Sequence, residues 1–291
     1  MLPDDASRCT HPLIGSQPST PWRPHCAAYL AELVGTALLV FVGLSAVIFD
    51  FGRGSPVAVL LPDPFLRRLL TGLLFGGTGA LIALSPLGRI SGAHLDPVLS
   101  WGFWLAGSLG VRDAIWYTLA QFIGAVAGAL PLPVVWGAFG ASVRFAATTP
   151  GPGVPIWQAF GGEVVATGLL VGGILWFVGH PRLRAFTPAL IPPLVALLVG
   201  TEAPLSDTSM NPARSLGPAL VAHALGWLWL YFSAPALGAL IAALITVRAG
   251  RTHVAKIAHH GTDPRDRFHG SGQHAPVLAV REARVRGGPA A

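Results

Sequence analysis

Two short stretches decide the fold: SGAHLDPVLS at 91–100 and TSMNPARSLGPAL at 208–220. Each places an Asx–Pro pair ahead of an apolar run of about two to three helical turns. An Asp or Asn side chain accepts hydrogen bonds from the first free N–H groups of a helix, and proline suits its first position. The pattern therefore predicts helices that start at Pro97 and Pro212. Both runs are too short to cross a hydrocarbon core of ~30 Å, which takes about 20 helical residues.

Around them lie six apolar segments that are long enough, near 27–50, 69–88, 113–136, 157–179, 185–203 and 225–248. All are expected to be helical, because lipid forces backbone groups to pair within the segment. Gly124 and Gly128 form a GxxxG pair, and Gly168, Gly172 and Gly173 lie in the fourth segment, so close helix approach is expected there. Pro192 and Pro193 predict a kink in the fifth span, since proline removes helix hydrogen bonds.

The two short segments hold corresponding places in two halves, about 27–136 and 157–248. The first half opens with AELVGTALLVFVG (31–43) and the second with GEVVATGLLVGG (162–173), which pairs Glu32 with Glu163. Three spans per half make the second half enter from the opposite side, an inverted repeat. The two short helices are then expected to dip in from opposite faces, with their N-termini meeting near the midplane. The fold class is an all-α membrane protein with six transmembrane helices and two re-entrant half-helices.

Composition agrees. Of 291 residues, 52% are hydrophobic and 11% charged, against roughly a quarter charged in soluble domains. Residues 27–250 carry 18 charged side chains, whereas residues 251–291 carry 10. A chain this poor in charge would expose large apolar patches to water. The net charge of +6 lies beside apolar segments and in the tail, with no basic face interleaved with aromatics, so nucleic acid is not an expected partner. With both termini inside, 14 Lys and Arg fall inside and 4 outside, which supports six crossings of the cell membrane with cytoplasmic ends. Cys9 and Cys26 support no disulfide or metal framework. The N-terminus lacks a basic region followed by an apolar one, so no cleavable signal peptide is expected. Residues 1–26 read as an N-terminal tail. Residues 249–291 read as a disordered basic tail whose five histidines fit no compact metal site. No cofactor and no covalent chemistry are implied, because the spans hold no nucleophile–base or His–carboxylate set.

The two signature stretches closely resemble the paired loops of the aquaporin, or major intrinsic protein, family. YTLAQFIGAVAGAL (117–130) resembles that family's third span and WLYFSAPALGALIAAL (229–244) its sixth. The resemblance covers 27–248 and implies a homotetramer of six-helix protomers, each a passive pore for water or small neutral solutes. It further implies that Asn211, with Pro212 and Ala213, turns an amide N–H toward the pore. In the first loop Asp96, Pro97 and Val98 stand where the family usually has Asn-Pro-Ala. Asp96 can cap its helix, but an ionised carboxylate only accepts hydrogen bonds and adds negative charge where two helix N-termini oppose cations. Weaker ion exclusion and a protonated donor Asp96 both remain open.

Counting from the motifs, the resemblance places a selectivity constriction at Gly76, Val199, Thr208 and Arg214. Small or aliphatic groups at Gly76 and Val199 imply a wider, less polar passage, open to glycerol, urea or neutral metalloid acids. A one-residue offset would put Phe75 there instead and narrow it. Ser215, Ala219, Tyr231 and Phe232 look like the water-channel subtype, and the mixture resembles plant nodulin-type and related bacterial channels. Glu32, Glu163 and His94 are expected to brace the loops, Gln121 to lie in a helix contact, and Asp207 to be a solvated loop residue. A strict water channel and a proton-influenced transporter using Asp96 are the alternative functions.

Overall fold

The computed structural model describes residues 25–249, and the tails at 1–24 and 250–291, with Cys9 and the histidines of the C-terminal tail, lie outside the described residues. Within them the regular structure is helical: α1 (Cys26–Phe51), α2 (Pro56–Leu60), α3 (Pro64–Leu84), α4 (Pro86–Ser91), α5 (Pro97–Leu105), α6 (Val111–Ala129), α7 (Leu132–Ala141), α8 (Ile156–Gly179), α9 (Thr187–Ser206), α10 (Pro212–Val221) and α11 (Leu228–Arg248), with three short 3₁₀ turns. Among the described residues five helices are long and apolar enough to span a membrane, and six if α6 and α7 form one span.

One local rule starts five of these helices. Ser55, Asp63, Ser85, Asp96 and Asn211 each precede a proline, and each side chain accepts from the N–H two residues on. This rule moves the second span from the expected 69–88 to Pro64–Leu84. Asp63–Pro64 starts it early, and Ser85, extended ahead of Pro86, ends it. The third span also differs from 113–136. It ends at Ala129, and the chain bends by 65° before Leu132. Pro131 has no N–H to continue the helix, and Gly137 leaves helical geometry inside α7. In the fifth span, Pro192 and Pro193 lie inside α9, which continues as one helix across them.

The helices pack by backbone approach. A Cβ on Gly124 would stand 2.3 Å from the Leu33 carbonyl oxygen, and one on Gly128 2.2 Å from that of Ala37, so α6 lies directly on α1. In the second half a Cβ on Gly238 of α11 would stand 2.4 Å from the Val164 carbonyl oxygen of α8. The third pair, α3 and α9, meets where Gly72 and Gly76 face Ala196 and Pro192 and Gly200 faces Leu69. Small residues give this close fit where lipid offers no hydrophobic gain for association. The outward faces carry exposed Leu30, Leu38, Ile123, Leu169 and Ile245, suited to hydrocarbon.

Candidate functional site

The two signature loops meet inside the bundle. Asn211 Nδ2 donates to the Leu95 carbonyl at 2.9 Å, joining the start of α10 to the residue before Asp96. Asp96 Oδ1 accepts from Val98 N at 3.0 Å, and Asn211 Oδ1 accepts from Ala213 N and Arg214 N at 2.9 and 3.1 Å. Two half-helices thus present capped N-termini at one place, where their partial positive charges add. One amide N–H of Asn211 is committed to the opposite loop, so the amide has one N–H left for a solute.

Each loop is held from behind by the same apparatus. Glu32 accepts from His94 N at 2.9 Å and from Leu95 N at 2.7 Å. Glu163 accepts from Ser209 N at 2.5 Å and from Met210 N at 2.9 Å. Both glutamates are completely buried. Tyr117 donates to the Ser91 carbonyl at 2.7 Å and Tyr231 to the Ser206 carbonyl at 2.8 Å, matched contacts from α6 and α11. Left-handed backbone occurs at Ala93 and Leu95 in one loop and at Thr208 and Met210 in the other. Non-glycine residues take that conformation when the surroundings impose it, and the two glutamates are the imposing partners. His94 Nδ1 lies 3.1 Å from Ser100 Oγ, within the first loop and its half-helix. Gln121 goes beyond helix contact: its Nε2 donates to Glu32 and to Ser100 Oγ at 2.8 and 2.9 Å. In the second half Ser206 Oγ lies 2.7 Å from Glu163 Oε1 and 2.5 Å from a further buried carboxyl, Glu202.

A cavity of about 460 Å³ runs past both loops. Asp96, Asn211, His94, Gly76, Val199, Thr208 and Arg214 border it, whereas Pro97, Val98, Pro212, Ala213, Glu32 and Glu163 stand behind its wall. Gly76 is shared with a helix contact, because a Cβ there would meet Pro192 Cα at 2.9 Å and Val195 Cβ at 3.0 Å. Arg214, buried, donates through one terminal nitrogen to the Ala146 carbonyl at 3.1 Å. That carbonyl is presented by a run of three left-handed residues, Arg144 to Ala146. Asp207 is exposed but not merely solvated: its carboxylate accepts from Thr149 N and Oγ1 at 3.0 and 3.2 Å and ties the 144–155 connection to the end of α9. Among the described residues no cluster of three or more His, Cys, Asp or Glu is placed to hold a metal ion.

Paired half-helices capped by Asx–Pro, held by two buried glutamates across an inverted repeat, coincide with residues 22–246 matching the family model for the major intrinsic protein. The chain belongs to the major intrinsic protein family. It is 34% identical over 242 residues to "Aquaporin AqpM" of Methanothermobacter marburgensis, covering 74% of this chain and 94% of that protein. It is 33% identical over 218 residues to "Glycerol uptake facilitator protein-like 6" of Lactiplantibacillus plantarum, again covering 74% and 94%. The aquaglyceroporin of Plasmodium falciparum, at 19% identity, shares the fold, with a TM-score of 0.65 over 80% of this chain and 100% of that one. This channel of the family is therefore an integral multi-pass membrane protein that conducts passively.

The sequence reading missed Tyr117, Ser100 and Gly72. Signals for two of them were present: Tyr117 and Tyr231 occupy equal places in the two family-like spans, and Gly72 stands four residues before Gly76.

Proposed function

We propose that this channel passes small uncharged solutes, of the class of glycerol, urea and neutral metalloid acids, besides water. The carrying observation is the cavity that reaches both half-helix starts with an aliphatic residue, Val199, on its α9 wall. Val199 offers no donor, so Arg214 and loop groups alone orient a solute there. Polyols keep their hydroxyls toward that polar side and their carbons toward the aliphatic one. The facilitator-named relative from Lactiplantibacillus plantarum supports this reading.

In this reading Asn211 donates to the passing oxygen, Asp96 and Asn211 hold the half-helices, and Arg214 repels cations near the outer mouth. The constriction is formed by Val199, Thr208 and Arg214, with Gly76 on the α3 side. Glu32, Glu163 and His94 brace the loops. The channel works in the cell membrane as a homotetramer with cytoplasmic termini. The charge bias of its Lys and Arg supports that orientation, and family membership supports the tetramer.

Reconstitution into liposomes tests the solute class. After a hypertonic glycerol step, stopped-flow light scattering reports water as shrinkage and glycerol as recovery. Recovery faster than in protein-free liposomes is expected. Fast shrinkage without glycerol-dependent recovery would establish a strict water channel instead.

A further inference from the structure

The braces of the two loops differ in their donors. The Tyr117 contact at Ser91 and the Tyr231 contact at Ser206 set the two halves in register. Four residues after each tyrosine stand Gln121 and Pro235, and four before each serine stand Leu87 and Glu202. Gln121 supplies a side-chain N–H to Glu32. Pro235 has no donor to offer Glu163. Glu163 Oε1 lies instead 2.7 Å from the Ser206 hydroxyl, and Glu202 Oε1 lies 2.5 Å from that same hydroxyl. Neither Ser206 nor Glu202 borders the cavity.

The hydrogens at this place can be counted. A serine hydroxyl carries one hydrogen and accepts through its lone pairs. Ser206 meets two carboxyl oxygens, so it donates to one, and the other must bring a hydrogen of its own. Two ionised carboxylates would face each other across one buried oxygen, which is costly. Glu163 is the anion, because its two oxygens also accept from Ser209 N and Met210 N. Glu202 has no such support: its Oε2 is buried and meets no hydrogen-bond partner among the described residues. The polar groups nearby are engaged elsewhere, Arg214 on the Ala146 carbonyl, Asp207 on Thr149 and Tyr231 on the Ser206 carbonyl. The fold also leaves room for this carboxyl. Gly162 of α8 stands where the first half has Ala31, and a Cβ there would meet Glu202 Oε1 at 2.8 Å.

We propose that Glu202 carries a proton on Oε1 and donates a hydrogen bond through it to Ser206 Oγ, which turns the Ser206 hydrogen onto Glu163. A neutral acid in the second half thus does, through one hydroxyl, what the Gln121 amide does directly in the first. Glu202 is a positioning residue. It acts on the second loop through Ser206 and Glu163, and it does so whichever solutes pass.

Infrared spectroscopy of the full-length protein in liposomes at neutral pH tests the proton. The spectrum of wild type minus that of Glu202→Gln is expected to show the carbonyl stretch of a protonated carboxylic acid, shifted by exchange into D₂O. Absence of that band overturns the proposal. So does a band that Glu163→Gln removes and Glu202→Gln leaves, which would place the proton on Glu163. Two variants then test the donor. Glu202→Gln keeps an N–H for Ser206 and is expected to match wild type in melting temperature and in osmotic water permeability. Glu202→Met has similar length and no donor. It is expected to melt roughly 2–4 °C lower, the shift that loss of one hydrogen bond gives in a chain of this size, and to conduct less water. A Glu202→Met protein equal to wild type in both assays overturns the positioning role. Should Glu202→Met fail to fold, the infrared difference for Glu202→Gln decides alone.

Discussion

Replacing Glu32 by alanine would leave three donors facing an empty place: His94 N, Leu95 N and Gln121 Nε2. An orphaned buried donor costs about 1–3 kcal/mol. Three would cost roughly 3–9 kcal/mol if additive, and neighbours in one network are not strictly additive. The loop borders a cavity that water can enter, so partial rehydration pulls the cost toward ~3 kcal/mol. At about 2–4 °C per kcal/mol for a chain of this size, the melting temperature should fall by roughly 6–12 °C. Function should suffer more than stability, because Leu95 also accepts from Asn211 and a loosened first loop disturbs both half-helix starts. Glu32→Gln is the internal scale. Its amide oxygen can serve one side while its NH₂ opposes a donor on the other, so its cost should be about 1–3 kcal/mol. Melting in detergent and osmotic water permeability in liposomes measure the two effects. A Glu32→Ala protein with wild-type melting and wild-type water flux would refute the bracing role.

Glu163→Ala should behave in parallel, since it strands Ser209 N and Met210 N while the Ser206 hydroxyl keeps Glu202 as its partner; the same two assays check it. Gly128→Ala should lower stability by about 1–3 kcal/mol through overpacking against α1, whereas Gly168→Ala, whose Cβ finds nothing nearer than 3.5 Å, should be neutral or slightly stabilising on thermal melting. Val199→His should lower the glycerol-to-water permeability ratio, because a larger polar ring would stand on the α9 wall; equal ratios would remove Val199 from the constriction. Asp96→Asn keeps an equally good helix cap, so its melting should match wild type, and a lower proton permeability measured with a trapped pH dye is the expected effect; unchanged solute and proton fluxes would show that Asp96 does not tune the pore.

The parts of this molecule legible in the sequence were those set by strictly local chemistry. Asp96–Pro97 and Asn211–Pro212 announce their helices through capping, and the starts observed are those residues. Glu32 and Glu163 stood out because an isolated carboxylate in an apolar run must have a buried partner. The limits of the second and third spans were misplaced because apolar composition continues across Ser85–Pro86 and Leu130–Pro131, where backbone rules end the helix. Neither the direction of a side chain at position 76, toward α9, nor the packing of the Phe75 ring against Gly43 of α1 can be read from spacing alone. Both depend on how α3 rotates against α9 and α1, which is a tertiary choice. Asp207 read as solvated because its partner, Thr149, lies 58 positions away in the chain.

The inverted repeat separates architecture from chemistry at the level of single residues. The groups that match between halves lie behind the loops: Glu32 with Glu163, Tyr117 with Tyr231, Ser100 with Ser215, Pro97 with Pro212. None of these borders the cavity. The four residues at the tip of each loop all border it, and they differ at every place: Ala93, His94, Leu95 and Asp96 against Thr208, Ser209, Met210 and Asn211. Their backbone conformation is nevertheless shared, with left-handed residues at the same two steps before each cap. The bracing glutamates fix the path of the main chain through N–H groups, which every non-proline residue possesses, so the side chains they hold in place are free to vary. A solute taking the proposed path would therefore meet an acidic cap on one side and an amide cap on the other, in a frame that is symmetric. Changes of solute preference should come from these eight tip positions and from the walls at Phe75 and Val199, while substitutions in the matched set should cost the fold and stop all conduction alike.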